Sequence, residues 1–329
     1  MNYESYSPFS VNSLLSIVIP ALNSVETIDS CLRSIFRHLP AGAFEVFVAD
    51  NGSTDGTVDV AESHSVRLVH VPRRYHVSRV RNEGAKIANG SLLAFLDSDC
   101  EIGARWYDTI VGLLTRSDVG IVGNKCGVPR DTPWVERIWQ SAYIEPQTED
   151  CRSVEYVPAA NMAITKALFD QLGGFDETLE TGEDPDLCKR VQALGLDVVE
   201  HRHMDCVHLG NPKNLLEFYR REAWHGRGVR LRYATGQISA TVVASIVFAL
   251  SLVGSVAFST YGLVIGKPAY LLFWVVPLLI PAGYVVLRRR SCRIRDLPGL
   301  FLIYCAYFLG RGRALTTAAS SMLGFARKT

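Results

Sequence analysis

The sequence predicts an α/β domain, a mostly parallel sheet with helices on both faces, followed by a membrane module. Three observations predict it. Short β-branched and apolar runs alternate with helix-period stretches through the N-terminal part of the chain. Those strand-like runs stop at Pro or Asp, where a buried strand must turn out of the sheet. The C-terminal third is far more apolar than the rest.

Residues 1–13 read as a polar tail. Residues 14–19 (LLSIVI) form the first strand and end at Pro20. Asn23 to Thr27 then opens a helix whose apolar residues Ile28, Leu32, Ile35 and Phe36 recur at helical spacing. The second strand, 44–49 (FEVFVA), stops at Asp50-Asn51-Gly52. Another helix starts at Ser53-Thr54-Asp55-Gly56, with Val58 and Ala61 on its apolar side. A third strand is expected over 66–71, a helix over 80–88 and a buried strand over 91–96 (SLLAFL) ending at Asp97-Ser98-Asp99. In open α/β sheets ligands bind beyond the carboxyl ends of the strands, so the loops at Pro20, Asp50 and Asp97 should converge on one crevice. Further on, a helix near 106–114, a strand near 119–122, a loop over 133–146 and a strand over 161–164 are expected. Helices over 166–172 and 185–194 and a last strand from Asp197 complete the domain.

Two uncharged runs, 238–261 and 269–287, are long enough to span a bilayer. Arg227, Arg230 and Arg232 precede the first, and Arg288, Arg289, Arg290, Arg293 and Arg295 follow the second. The positive-inside rule puts both outer ends in the cytoplasm and makes the pair a hairpin. Two buried core helices are the alternative, although runs this long without a charge are unusual in a soluble core. Residues 297–309 are short for a span and read as an interfacial or re-entrant helix. The N-terminus lacks a charged-then-apolar signal, which keeps the catalytic domain on the cytoplasmic side of a multi-pass protein of the cytoplasmic membrane. The expected organisation is a tail at 1–13, a catalytic domain at 14–228 and a membrane module at 229–329. A net charge of +1 gives no ground for a nucleic-acid partner. The eight cysteines are scattered without a CxxC pair and read as reduced thiols.

Several residues suggest chemistry. Asp97 and Asp99 flank one residue at the end of an apolar strand, so both can face a cation, and hard oxygen ligands suit Mg2+ or Mn2+. Alone, such a triplet is equally a solvated turn. Asp50 can accept hydrogen bonds from a ribose or base, or can close an Asx turn over Asn51-Gly52. Glu183-Asp184 precede Pro185 and a helix, as a general base in a crevice or as simple helix capping. The cluster from His201 to His208 does not match zinc-site spacing, and one of its histidines could complete a divalent site. Arg73, Arg74, Arg79 and Arg81 could contact phosphate or form a solvated face.

Taken together, SIVIPALNSVETIDSCLRSI, VADNGSTDGT, RVRNEGAKIANGSLLAFLDSDC, NMAITKALFDQLGGFDE and TGEDPDLCKRVQALG resemble a family 2 glycosyltransferase of GT-A-type fold. The resemblance spans about 14–228. It implies a nucleotide-sugar donor bound by Pro20, Ala21, Asn23, Glu26, Asp50 and Ser98, with Arg81 and Asn82 near its diphosphate. Asp97 and Asp99 would be the metal-binding pair, completed by His208. Glu183-Asp184 would be the acidic pair in which Asp184 is the catalytic base. Asn161, Trp224 and His225 would lie at the acceptor or in a closing loop, with Arg227 over the donor. The QxxRW motif of processive synthases is missing. The function implied is inverting, metal-dependent transfer to a lipid-linked or glycan acceptor at the bilayer, in bacterial cell-surface polysaccharide or glycolipid assembly. A polyprenyl-phosphate sugar synthase, a nucleotidyltransferase and a non-catalytic nucleotide-sugar-binding scaffold are the competing readings.

Overall fold

The computed structural model describes residues 15–143, 149–226, 240–289 and 292–325. They fall into two compact units, one within residues 1–129 and 146–210, the other within 130–145 and 211–329.

In the first unit β1 (Leu15–Ala21), α1 (Ile28–His38), β2 (Phe44–Asp50), α2 (Thr57–Glu62), β3 (Arg67–His70), α3 (Val77–Lys86) and β4 (Leu92–Leu96) follow one another in a βα rhythm. β1 pairs in parallel with both β2 and β4, and β2 with β3. The strands are buried on both faces. Leu15, Ile17 and Ile19 of β1 join one core, and Val18 joins the other. α1 buries Ile28, Cys31, Leu32 and Ile35, a single stripe at i, i+3, i+4 and i+7. α3 lies close on β1 because position 84 is glycine; a Cβ there would meet Val18 Cγ1 at 2.4 Å.

After β5 (Cys100–Ile102) and α4 (Trp106–Leu114), the chain adds β6 (Val119–Gly123). The next element is α5 (Trp134–Tyr143), which belongs to the second unit. β7 (Cys151–Ser153), β8 (Asn161–Thr165), α6 (Lys166–Gln171), α7 (Glu183–Gln192), β9 (Asp197–His201) and β10 (Cys206–His208) complete the first unit. The main sheet has the order β3-β2-β1-β4-β8-β6-β9-β7, and β5 pairs with β10 in a separate ribbon. β8 runs antiparallel to both β4 and β6, while β6 and β9 are parallel. The carboxyl ends of β1, β2, β4, β6 and β9 and the start of β8 therefore share one rim.

Among the described residues the second unit holds α5, α8 (Leu215–His225) and three longer helical stretches. Its core is aromatic and aliphatic, with Val135, Ile138, Phe218, Phe248, Leu300, Tyr304 and Phe308 buried together. Arg311 donates from Nε to Glu222 Oε2 at 2.9 Å, and Lys213 pairs with Glu136, so the buried carboxylates of this unit are neutralised. Helix Ala240–Val264, with mean hydropathy 2.3, and helical stretch Pro268–Arg288, with 2.1, are each long and apolar enough to cross a membrane.

Two expectations change. The 133–146 loop is in its described part the helix α5, whose Val135, Ile138 and Ala142 form one buried stripe. The flanking Pro133 and Pro146 suggested a loop, but Pro is tolerated just before a helix. The short helix expected over 297–309 instead runs unbroken from Leu297 to Phe325. Arg311 does not end it, because Arg is a good helix former and this one has a carboxylate partner.

Candidate active site

The rim loops are stitched to each other by side chains. Asn23, at φ 51, accepts the Thr54 N–H on Oδ1 at 2.9 Å, and its own N–H donates to Ser53 Oγ at 2.9 Å. Ser24 N donates to Thr57 Oγ1 at 2.7 Å, and Val25 N to Asp55 Oδ2 at 3.2 Å. Ser98 after β4 donates to Ser24 Oγ at 2.8 Å, which ties the third loop to the first. Asp50 is buried and accepts from the backbone N–H of Gly52 and Ser53, both at 3.1 Å. It is therefore the anchor of its own Asx turn.

The acidic residues meet through one arginine. Arg81, on α3 and 4% exposed, donates from Nη2 to Asp97 Oδ1 at 2.7 Å and from Nη1 to Glu183 Oε1 at 2.7 Å. A planar guanidinium suits such a fork because its donors are fixed in direction. Glu183 and Asp184 open α7 after Gly182, whose φ of 90 lets the chain enter the helix sharply. Both lie in the first turn of α7, and Glu183 spends one carboxylate oxygen on Arg81. Burial pushes the Asp184 carboxyl up to about 7, repulsion from Glu183 adds to this, and Arg81 opposes it.

Asp99 and His208 form the other half of the site. His208 Nε2 lies 3.4 Å from Asp99 Oδ1. The Leu209 N–H donates to Asp99 O at 2.7 Å and holds the two chains in register. Gly210 leaves the carboxylate its space, since a Cβ there would sit 2.0 Å from Asp99 Oδ2. Burial raises the Asp99 carboxyl, His208 opposes this, and Asp97 adds to it, so the group sits in a spot short of positive charge. Carboxylate oxygens with one imidazole are a donor set that fits Mn2+ and, with less affinity for the nitrogen, Mg2+.

Residues 16–173 match the model for glycosyl transferase family 2. They are a family 2 glycosyltransferase domain. Among curated relatives, glycosyltransferase AglE of Haloferax volcanii is 27% identical over 190 residues, covering 55% of this chain and 62% of its own. Validoxylamine A glucosyltransferase of Streptomyces hygroscopicus subsp. jinggangensis is 28% identical over 228 residues, covering 57% and 54%. The chain thus spans less than two thirds of the length of these relatives. A solved structure, the mannosyltransferase PcManGT from Pyrobaculum calidifontis in complex with GDP-Man and Mn2+, superposes with TM-score 0.58 at 16% identity. It covers 92% of this chain and 86% of its own, and shows a shared fold.

Within the glycosyltransferase domain some expected site residues turn out to be structural. Asn82 is buried and spends its amide on the turn after α6: Nδ2 donates to Phe175 O at 2.9 Å, and Oδ1 accepts the Phe175 N–H at 3.0 Å. Nδ2 also donates to Glu177 Oε1 at 3.0 Å, so both amide hydrogens are spent within the fold. Asn161 is fully buried. Its Nδ2 donates to Met204 O at 2.7 Å, and Trp106 Nε1 donates to its Oδ1 at 2.7 Å. It joins β8 to neighbouring loops, and no face remains for an acceptor. The Ala21 side chain is buried, so only its backbone can line the crevice; its O accepts the Asn51 N–H. Pro20 pairs with Ala49 in the sheet, and Glu26 is exposed beside the first loop. Trp224 and His225 lie in the last turn of α8 in the second unit, and Arg227 lies outside the described residues. What residue-by-residue reading missed is the double role of Arg81. Its place in RVRNEG hints at function, but its two partners lie 16 and 102 residues away.

Proposed function

We propose that the protein is an inverting, divalent-metal-dependent glycosyltransferase that moves a sugar from a nucleotide diphosphate donor to a membrane-associated, lipid-linked or glycan acceptor. The observation that carries this reading is the Arg81 fork, which holds the Asp97 loop and the Glu183-Asp184 turn together at one rim.

The first and second loops, pinned by Asn23 and Asp50, offer a rigid backbone wall for the nucleoside. Asp99 and His208, with the Asp97 oxygen that Arg81 leaves free, would hold the cation, which when bound would supply positive charge beside the diphosphate. Asp184 takes the proton from the acceptor hydroxyl. A carboxyl held up to about 7 is a far stronger base than an ordinary aspartate while still ionised near neutral pH. Arg81 keeps Asp97 and Glu183 in place and balances their charge, so that Asp184 can lose its proton beside them.

The apolar stretches Ala240–Val264 and Pro268–Arg288 support attachment to a bilayer, with the catalytic unit on the cytoplasmic face. An acceptor carried on a lipid then reaches the enzyme by diffusion in two dimensions. The test is a thermal-shift screen of nucleotide diphosphates and nucleotide sugars with and without Mn2+. A Mn2+-dependent rise for one nucleotide, lost in Asp99→Ala, is expected. A screen with no nucleotide response in the wild type would reject the donor class.

A further inference from the structure

Three cysteines far apart in the chain meet next to the rim. Cys100 opens β5, Cys206 opens β10, and Cys126 lies in the loop after β6. The β5–β10 register sets Cys206 opposite Ile102 and His208 opposite Cys100, so Cys100 and Cys206 share one face of the ribbon. Gly127 N donates to Cys206 O at 2.6 Å, and His208 N donates to Gly127 O at 3.0 Å, which draws Cys126 onto the same ribbon. The three sulfurs all lie within 4.8 Å of one another, and Cys100 and Cys126 are 3.8 Å apart.

That spacing has a chemical meaning. A disulfide needs sulfurs at about 2.05 Å and joins only two of them. Zinc–thiolate bonds of about 2.3 Å place the sulfurs of a tetrahedral site about 3.8 Å apart. Cys100 and Cys206 are 0% and 4% exposed, so thiolates there need a counter-charge at close range. A thiophilic cation provides one and bonds to all three.

We propose that Cys100, Cys126 and Cys206 form a thiolate site for a thiophilic d10 cation, Zn2+ or Cd2+, separate in its donors from the Asp99–His208 site. Loading forms three metal–sulfur bonds and releases one proton from each thiol, with no change of oxidation state. Asp99 and His208 also lie within 4.8 Å of Cys100, so the two donor sets are immediate neighbours. The bound cation clamps β5, β10 and the β6 loop, and so fixes the backbone that carries Asp99 and His208. The proposal does not rest on sugar transfer, because sulfur binds the metal whether or not a donor binds.

Co2+ titration of the full chain, purified in detergent under anaerobic reducing conditions and stripped of metal, tests it. A sulfur-to-cobalt charge-transfer band saturating at one equivalent and displaced by Zn2+ is expected. Cys126→Ser should lose the band and bind Co2+ at least about tenfold more weakly, whereas Cys151→Ser should keep it. Asp99→Ala should also keep the band while losing Mn2+-dependent nucleotide binding, which separates this site from the proposed catalytic one. Should Cys126→Ser fail to fold, X-ray absorption of the cobalt-loaded wild type counts the sulfurs directly, with three expected. A wild type without the band, a band that survives Cys126→Ser, a sulfur count below three, or a Cys100–Cys126 disulfide in the freshly purified protein would each overturn the proposal.

Discussion

The two units invert each other's burial. In the first, polar and charged groups are inside: Asp50 and Arg81 are each 4% exposed and Glu183 is 7%, all hydrogen-bonded. In the second, large apolar groups are outside: Leu250 is 67% exposed, Leu263 66% and Leu287 75%. A buried charge is tolerated only when paired, and an apolar surface of this extent marks a contact surface. The difference teaches that the first unit is a preorganised polar site built on rigid strands. The second is built for contact with something apolar, and its few buried carboxylates, Glu136 and Glu222, are paired.

The comparison is sharpened most at Asp184. Asp184→Asn is expected to lower turnover by about 10²–10⁴-fold with donor affinity retained; near-wild-type transfer would reject the base assignment. The pH dependence has a definite sign. Activity should fall as pH drops below about 7, where Asp184 takes up its proton. The same raised carboxyl binds a proton in the folded state that the unfolded chain, with an ordinary aspartate, releases at lower pH. It therefore costs stability as pH rises from about 4 to about 7, and the cost persists above that. Asp184→Asn should thus raise the melting temperature at pH 8 and leave it unchanged at pH 4. A variant that is both inactive and less stable at pH 8 would contradict the burial argument.

Arg81→Met leaves Asp97 and Glu183 without their shared partner and should cost about 3–5 kcal/mol, read as a lowered melting temperature. Adding Glu183→Gln should recover part of the loss. If Arg81→Met melts like the wild type, the fork is not what joins the two acidic segments.

Leu250→Arg probes the other side of the comparison. At the centre of a spanning helix an arginine costs about 2.5–3.5 kcal/mol of insertion, whereas on a water-exposed surface it changes stability by about 0.5 kcal/mol or less. Loss from the membrane fraction is expected. Unchanged fractionation would place this helix outside the bilayer core.

The smallest effect separates structural from functional polar groups. Asn82→Ala unpairs the Phe175 backbone and should cost about 1–3 kcal/mol of stability while KM for the donor stays the same. A raised KM without a stability loss would return Asn82 to the donor site.

Much of this was legible in the residues themselves. The runs LLSIVI, FEVFVA and SLLAFL announce buried parallel strands, because only a sheet covered on both faces needs unbroken apolar runs. The Asp97-Ser98-Asp99 triplet at the end of the last run and Glu183-Asp184 before a helix also stand out in the chain, because carboxylates are costly to bury unless they are paired. The length and purity of the apolar runs after position 238 announce helices long and apolar enough to span a bilayer.

Tertiary structure alone decided which of those residues meet. Period and composition describe neighbours a few positions apart. The Arg81–Glu183 bond spans 102 residues, and the Cys100–Cys126–Cys206 cluster joins three separate loops and strands. Asn82 and Asn161 look like site residues in the chain and become buried struts only when a partner backbone closes over each. The α5 helix, read as a loop between prolines, gains its reason to fold from an aromatic core contributed by residues more than a hundred positions later. Local sequence sets which groups are costly to bury; the closed chain determines which partner relieves each cost.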